Sequence, residues 1–192
     1  MLSKRLRTSR ISIHSSLAVA HFLWPNFVSV NNLVLLARDA DVNPCPPSST
    51  LTDWEAFVNH THILDEFAHK SDVSERYQTA QRVDGDKDSF DDWEIRYLET
   101  HPDFIAACEL GKTAAKLWAL KLYQDFPGEK FRVYYTEYDN PIIRFHKVRI
   151  DEPEWLTDEY LATATHLNLR NALIYDTQSL DIPVRGPRTM VN

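Results

Sequence analysis

The feature that most constrains this chain is a change of hydrophobic period at one sharply marked point. From Asp103 to Gln124 apolar side chains recur at helical spacing, with Ile105, Leu110, Ala114, Leu117, Leu120 and Leu122 dominating beside Trp118 and Tyr123. Phe126-Pro127-Gly128 ends that run, because proline cannot continue a helix and glycine accepts the backbone conformation that often follows one. From Phe131 the pattern alternates instead. Phe131, Val133 and Tyr135 fall on one side of a strand, and Arg132, Tyr134 and Thr136 on the other. A turn at Tyr138-Asp139-Asn140-Pro141 leads into a second alternating run, Ile142 to Ile150. Helices mixed with local hairpins point to an α+β fold: several helices packed on a small antiparallel sheet built from β-hairpins.

The rest of the chain fits around that unit. Ser15 to Leu23 predicts a short helix stopped by Trp24-Pro25. Phe27 to Val30 and Leu33 to Ala37 read as two strands of a hairpin, with Asn31-Asn32 as the turn, since asparagine tolerates the positive φ that a two-residue turn demands. Asn43 to Thr50 is rich in proline and serine and predicts a loop. Thr52 or Asp53 is expected to cap a helix from Trp54 to about His69. Its apolar stripe would be Trp54, Phe57, Thr61, Leu64 and Ala68, widened by Ile63 and Phe67. A polar loop over Asp72 to Asp88, a helix over Phe90 to Glu99, a helix over Leu156 to Leu167 and a late strand over Asn171 to Asp176 complete the reading. The expected organisation is a leader-like basic start over residues 1–14, one domain over 15–177 and a flexible tail over 178–192.

Charge narrows the classes of partner. The chain of 192 residues carries a net charge of −7, although Lys4, Arg5, Arg7 and Arg10 crowd its first ten positions. An acidic body repels phosphate backbones, so nucleic-acid binding is not expected, whereas a basic protein would be attracted. Two cysteines, Cys45 and Cys108, are too few for a disulfide framework or a zinc site of their own, and a reducing cytoplasmic setting is the simplest expectation. No apolar run approaches the roughly 20 residues that a membrane-spanning helix needs. The Arg- and Ser-rich, acid-free opening resembles an organellar transit peptide, which offers the alternative location.

Candidate chemistry is sparse. On one continuous helix His62, Glu66 and His69 would stand at i, i+4 and i+7, where two imidazoles and a carboxylate form a sensible ligand set for a divalent transition metal. The same polar face is also where water would solvate such residues without any metal. His60 falls nearer the apolar edge and reads as a hydrogen-bonded, half-buried histidine. On the hairpin, Arg132, Tyr134, Arg144, His146 and Arg149 form a polar, cationic set. Within it Tyr134, Arg144 and His146 are candidates for anion contact or proton transfer, although cross-strand pairing on an open sheet face would place them there as well. Gly111-Lys112-Thr113 imitates the end of a phosphate-binding loop, but Ala106 stands where that loop needs glycine and the surroundings are helical. Trp93, Tyr97 and Trp155 flank loops and could centre a partner surface. No cofactor is expected.

Two stretches carry a resemblance. Phe22-Leu23-Trp24-Pro25-Asn26-Phe27-Val28 running into Leu33-Val34-Leu35-Leu36-Ala37 resembles an N-terminal pattern of an uncharacterised bacterial protein family. Lys121 to Arg149, with Asp125-Phe126-Pro127, Phe131-Arg132-Val133 and Arg144-Phe145-His146, is similar to the helix-hairpin unit that follows it there. The resemblance implies that Phe22 to Ile150 belong to one domain, and it carries no activity and no catalytic residue. Asn31-Asn32 departs from it, standing where an acidic-glycine turn is expected. The leading expectation is therefore a non-catalytic, acidic protein-binding domain, adaptor or inhibitor-like. The alternative is a small enzyme or metal-binding protein using the His/Glu cluster or the hairpin set.

Overall fold

The computed structural model describes residues 12–41, 44–67, 102–137, 140–156 and 171–177. In chain order its elements are α1 (Ile13–Leu23), β1 (Phe27–Val30), β2 (Leu33–Leu36), a single 3₁₀ turn (Ala37–Asp39), α2 (Leu51–Val58), β3 (His60–His62), α3 (Ile63–Phe67), α4 (Pro102–Asp125), β4 (Phe131–Glu137), β5 (Pro141–Lys147) and β6 (Asn171–Asp176). The chain is α+β. One sheet is the β1-β2 hairpin, and the other has the order β3-β5-β4-β6 with every described pairing antiparallel. Among the described residues no helix is long and apolar enough to cross a membrane.

The helix-hairpin unit is as the period change predicted. Phe131, Val133, Tyr135, Ile143 and Phe145 are all fully buried beneath α4, on the odd-numbered face of the β4-β5 ladder. What α4 presents to them differs from the leucine-rich stripe expected from sequence. Its buried residues are Phe104, Ala107, Cys108, Gly111, Ala114, Ala115, Trp118, Ala119 and Leu122, whereas Ile105 and Tyr123 are more than half exposed. Small side chains let the helix axis approach the sheet closely. Gly111 marks the closest point: a Cβ there would lie 2.3 Å from Ile63 Cδ1 and 2.5 Å from Tyr135 Cε2. Where Trp118 follows, the gap is filled by aromatic rings. Phe27 and Phe145 pack edge-on to each other and to Trp118, and the Trp118 indole donates to the Phe22 carbonyl at 2.8 Å, tying α1 to α4.

A second constraint holds the small hairpin beside the main sheet. Asn31 and Asn32 both take positive φ (50° and 66°), the left-handed conformation that asparagine tolerates and the two-residue turn requires. The outward-facing N–H groups of β2 then meet side chains of α2 instead of another strand. The Glu55 carboxylate, fully buried, accepts from Val34 N at 2.6 Å and from Lys147 N at 2.7 Å. Asn59 accepts from Leu36 N at 3.0 Å and donates to the Val34 carbonyl at 2.8 Å. The guanidinium of Arg149 closes on Glu55 through two bonds of 3.0 and 2.7 Å and also donates to the Asn32 carbonyl at 2.8 Å. Burial pushes the Glu55 carboxyl above its ordinary range, and Arg149 with the two N–H donors opposes that shift.

This arrangement corrects the expected long helix over Trp54 to His69. The helix begins at Leu51 with Thr50 as its cap, and the remote Glu152 carboxylate accepts from Leu51 N and Thr52 N at its start. It stops at Val58, because Asn59 is drawn inward to β2 and residues 60–62 pair with the edge of β5. The expected apolar stripe is also turned around. Thr52, Glu55, Ala56 and Asn59 are buried, while Phe57 is 59% exposed. Smaller differences lie at ends: α1 starts at Ile13 on a Ser12 cap, β2 stops at Leu36, and β5 stops at Lys147. The β6 strand stands as expected. The loop over Asp72 to Asp88, the helix over Phe90 to Glu99, most of the helix over Leu156 to Leu167, nearly all of the basic start and the tail over 178–192 lie outside the described residues.

Two substitutions test these constraints. Glu55→Ala strands the Arg149 charge and two backbone donors in the interior, and its expected cost in urea denaturation is about 3–5 kcal/mol. Gly111→Ala favours an isolated helix by roughly 1 kcal/mol, yet here the added methyl meets the Tyr135 ring, so the measured change should be a net loss of about 1–3 kcal/mol. A gain in stability at that position would mean that α4 sits farther from the sheet.

Candidate functional site

Because α4 covers one face of the main sheet, the polar residues of the hairpin share the other. Cross-strand register places Arg132 opposite His146, Tyr134 opposite Arg144, and His60 of β3 on the far side of Arg144. The three residues singled out from the hairpin, Tyr134, Arg144 and His146, are therefore neighbours. Burial then separates them. Tyr134 and His146 are each only 1% exposed, their rings stack at a centroid distance of 5.5 Å, and the Tyr134 hydroxyl lies 2.9 Å from His146 Nε2. His146 Nδ1 lies 3.0 Å from the Lys147 carbonyl, which can only accept. The imidazole proton is thus on Nδ1, and the tyrosine hydroxyl donates to Nε2. Burial pushes His146 down to about 4 and Tyr134 up to about 12. Neither group changes protonation near neutral pH, and neither faces solvent.

Arg144 has a different environment. Its Nη1 donates to the Ala56 carbonyl at 3.3 Å, near the C-terminal end of α2, and its guanidinium carbon sits 5.0 Å from the centre of the Trp155 ring. Trp155 in turn packs edge-on to Tyr134 at 5.4 Å and borders a small second core of Tyr134, Leu156 and Ile174. Trp155, one of the aromatic residues suggested as a partner surface, therefore covers the outer sheet face. Trp93 and Tyr97 lie outside the described residues. His60 is half-buried, as expected, and its Nδ1 lies 2.5 Å from the Phe57 carbonyl. The His60 ring contacts both Phe57 and His62.

The residues proposed for a metal do not share a helix. His62 ends β3, Glu66 lies in the short α3, and His69 is outside the described residues. The i, i+4, i+7 spacing consequently no longer places His62 and Glu66 on one face. Glu66 accepts from Arg38 Nη1 at 2.5 Å, and the same guanidinium reaches the Thr61 hydroxyl at 2.5 Å. Among the described residues no group of three or more His, Cys, Asp or Glu side chains is placed to hold a metal ion. Glu66 instead stands at a groove of about 370 Å³ bordered by α1, the 3₁₀ turn and Trp118. Its walls include Phe22, Trp24, Pro25, Leu36 and Arg38.

Two further candidates resolve into structure. Gly111-Lys112-Thr113 lies in the middle of α4, with Gly111 against the sheet. Lys112 Nζ pairs with Glu109 at 3.2 Å and with Glu137 at 2.9 Å, and Glu137 also accepts from the buried Tyr135 hydroxyl at 2.9 Å. Cys108 is buried beside this chain of contacts, and burial pushes its thiol up. Sequence reasoning passed over Glu55 and Asn59 entirely. The one available signal was two polar residues at i, i+4 on a face that would otherwise complete an apolar stripe.

Comparison with known families, with characterised proteins and with solved structures finds no match, in keeping with a family from which no residue role is transferable.

The buried histidine gives a pH test. An unfolded imidazole titrates near about 6.5, whereas His146 in the fold resists protonation until about 4. Between those values the unfolded chain holds more protons, so stability falls as pH drops through that window, by on the order of 3 kcal/mol in full. Urea midpoints taken from about pH 7.5 down to about 4.5 should decline more steeply for the natural chain than for His146→Gln. Parallel declines would show that His146 is not held neutral.

Proposed function

We propose that this chain is a non-catalytic protein-binding domain, adaptor or inhibitor-like, which receives a basic segment of a partner protein in the groove beside α1. The observation that carries the reading is the groove itself. It sets the 42% exposed Trp24 ring and the Glu66 carboxylate along one depression, in a chain with a net charge of −7. Its volume of about 370 Å³ suits one or two side chains rather than the face of a folded domain.

The chemistry of the walls fits a cation. Indole faces attract ammonium and guanidinium groups, and Lys121 Nζ already lies 5.5 Å from the Trp24 ring centre. A carboxylate has roughly four acceptor positions, and Arg38 engages Glu66 through Oε1. An entering lysine or arginine would therefore meet both a π-face and a carboxylate, with Phe22 and Pro25 packing its methylene stem. The acidic surface would speed encounter with such a partner and would make binding sensitive to salt. Binding is favoured over catalysis because the hairpin's acid-base pair, Tyr134 and His146, is buried in a closed hydrogen bond.

The test is fluorescence anisotropy with a short Lys/Arg-rich peptide and a Glu-rich peptide of equal length. Saturable binding of the basic peptide is expected, weakened by Trp24→Ala, by Glu66→Gln and by raising salt. Equal binding of both peptides, or affinity unchanged in both variants, would remove the groove from the account.

A further inference from the structure

We infer that the outer face of the main sheet carries an oxyanion-binding site built on Arg144, which takes a carboxylate or phosphate group. This inference concerns a different surface from the α1 groove and does not depend on the basic-partner reading.

Its starting point is a contrast among the described arginines. Arg38 pairs with Asp39 and Glu66, Arg132 with Glu154 and Asp176, and Arg149 with Glu55. Arg144 has no carboxylate partner among the described residues. Its protein contacts are the Ala56 carbonyl and the face of Trp155. In an acidic chain, where a carboxylate counter-ion is the common solution for an arginine, an unneutralised guanidinium in the middle of a sheet is the exception.

Among the described residues that guanidinium makes one hydrogen bond, from Nη1. Its Nε and Nη2 are not among the buried side-chain nitrogens that lack a partner, which are Trp54 Nε1 and Arg132 Nε, so neither is sealed away from a ligand. A guanidinium has five donors in a fixed fork that matches the two oxygens of a carboxylate or phosphate, and Arg144 spends one of them on Ala56. The Trp155 ring 5.0 Å from its guanidinium carbon and the bond to Ala56 restrain the side chain, so less freedom remains to be lost on binding. Partial burial disfavours the bare cation and lowers its pKa, and a bound anion relieves that penalty. His60 stands directly opposite in register. Its Nδ1 is held by the Phe57 carbonyl, which fixes its ring on the strand next to Arg144.

A purely structural role for Arg144 would be to place a cation at the C-terminal end of α2. That role uses charge alone and is preserved by lysine, whereas anion recognition uses the fork. Arg144→Lys therefore separates the two roles.

The experiment is a ¹H–¹⁵N titration of the full chain with inorganic phosphate and, separately, with acetate, following Arg144 Nε and the Trp155 indole. Saturable shifts at both groups are expected, with an affinity reduced about tenfold or more in Arg144→Lys while the thermal melt is retained. The stronger of the two anions identifies a phosphoryl or a carboxylate ligand. Linear, unsaturable shifts, shifts spread equally over the other arginines, or an affinity unchanged in Arg144→Lys would overturn the site. If the variant does not fold, the titration of the natural chain decides alone: saturation at Arg144 Nε supports the site and its absence removes it.

Discussion

The rest of the structure depends on a buried carboxylate. Glu55 sits between two sheets that do not hydrogen-bond to each other as strands and supplies the acceptors that a missing strand would have offered. Burying a charge is costly unless it is fully partnered, and here two backbone N–H groups and the paired donors of Arg149 provide the partners. Because Arg149 also grips the Asn32 carbonyl, the position of the β1-β2 turn, the direction of α2 and the exit of β5 are coupled through one ionic centre. Asn59 extends the same logic one helical turn on, and by leaving the helix it frees residues 60–62 to pair with β5.

That coupling decides what each face of the main sheet can do. The inner face is closed by α4, whose run of small residues permits a close approach and whose Trp118 fills the wider end with a cluster of edge-packed rings. The outer face gives Arg144 a second cross-strand neighbour, His60 beside Tyr134, because β3 exists only where the α2 helix has been broken. The α1 groove is likewise a product of assembly. Its walls come from α1, β2, the 3₁₀ turn, α3 and α4, which the chain order keeps far apart and only the folded structure brings together.

Local interactions account for what was legible. The Asp103 helix, its Pro-Gly stop, the alternation of β4 and β5 and the Asn-Asn turn are each specified by residues within a few positions of one another, and each stands in the structure. The same holds for the shared face of Tyr134, Arg144 and His146, since strand alternation and a tight turn imply the register. The stretch from Trp54 to His69 was misread for a matching reason. Period alone assigns Phe57 to the interior and Glu55 to solvent, and that assignment holds only if the interior offers no polar partner. The unpaired N–H groups of Val34 and Lys147 are such partners, and they lie 21 and 92 residues away in sequence.

By itself, then, the sequence determined the class of fold, the helix-hairpin unit and the net acidity of the chain, because these follow from periodicity, turn chemistry and charge count. Tertiary structure alone decided which polar groups are used up and which stay available. Tyr134 and His146 look as reactive in the sequence as Arg144 does, yet they satisfy each other in a buried pair, while Arg144 meets a backbone carbonyl and an indole ring and no carboxylate among the described residues. His62 and Glu66, four positions apart, fall in different elements once β5 claims the first as an edge strand. The physical reason is common to all of these cases. Whether a polar side chain is free to act depends on the partners that burial brings to it, and burial is a property of the assembled chain.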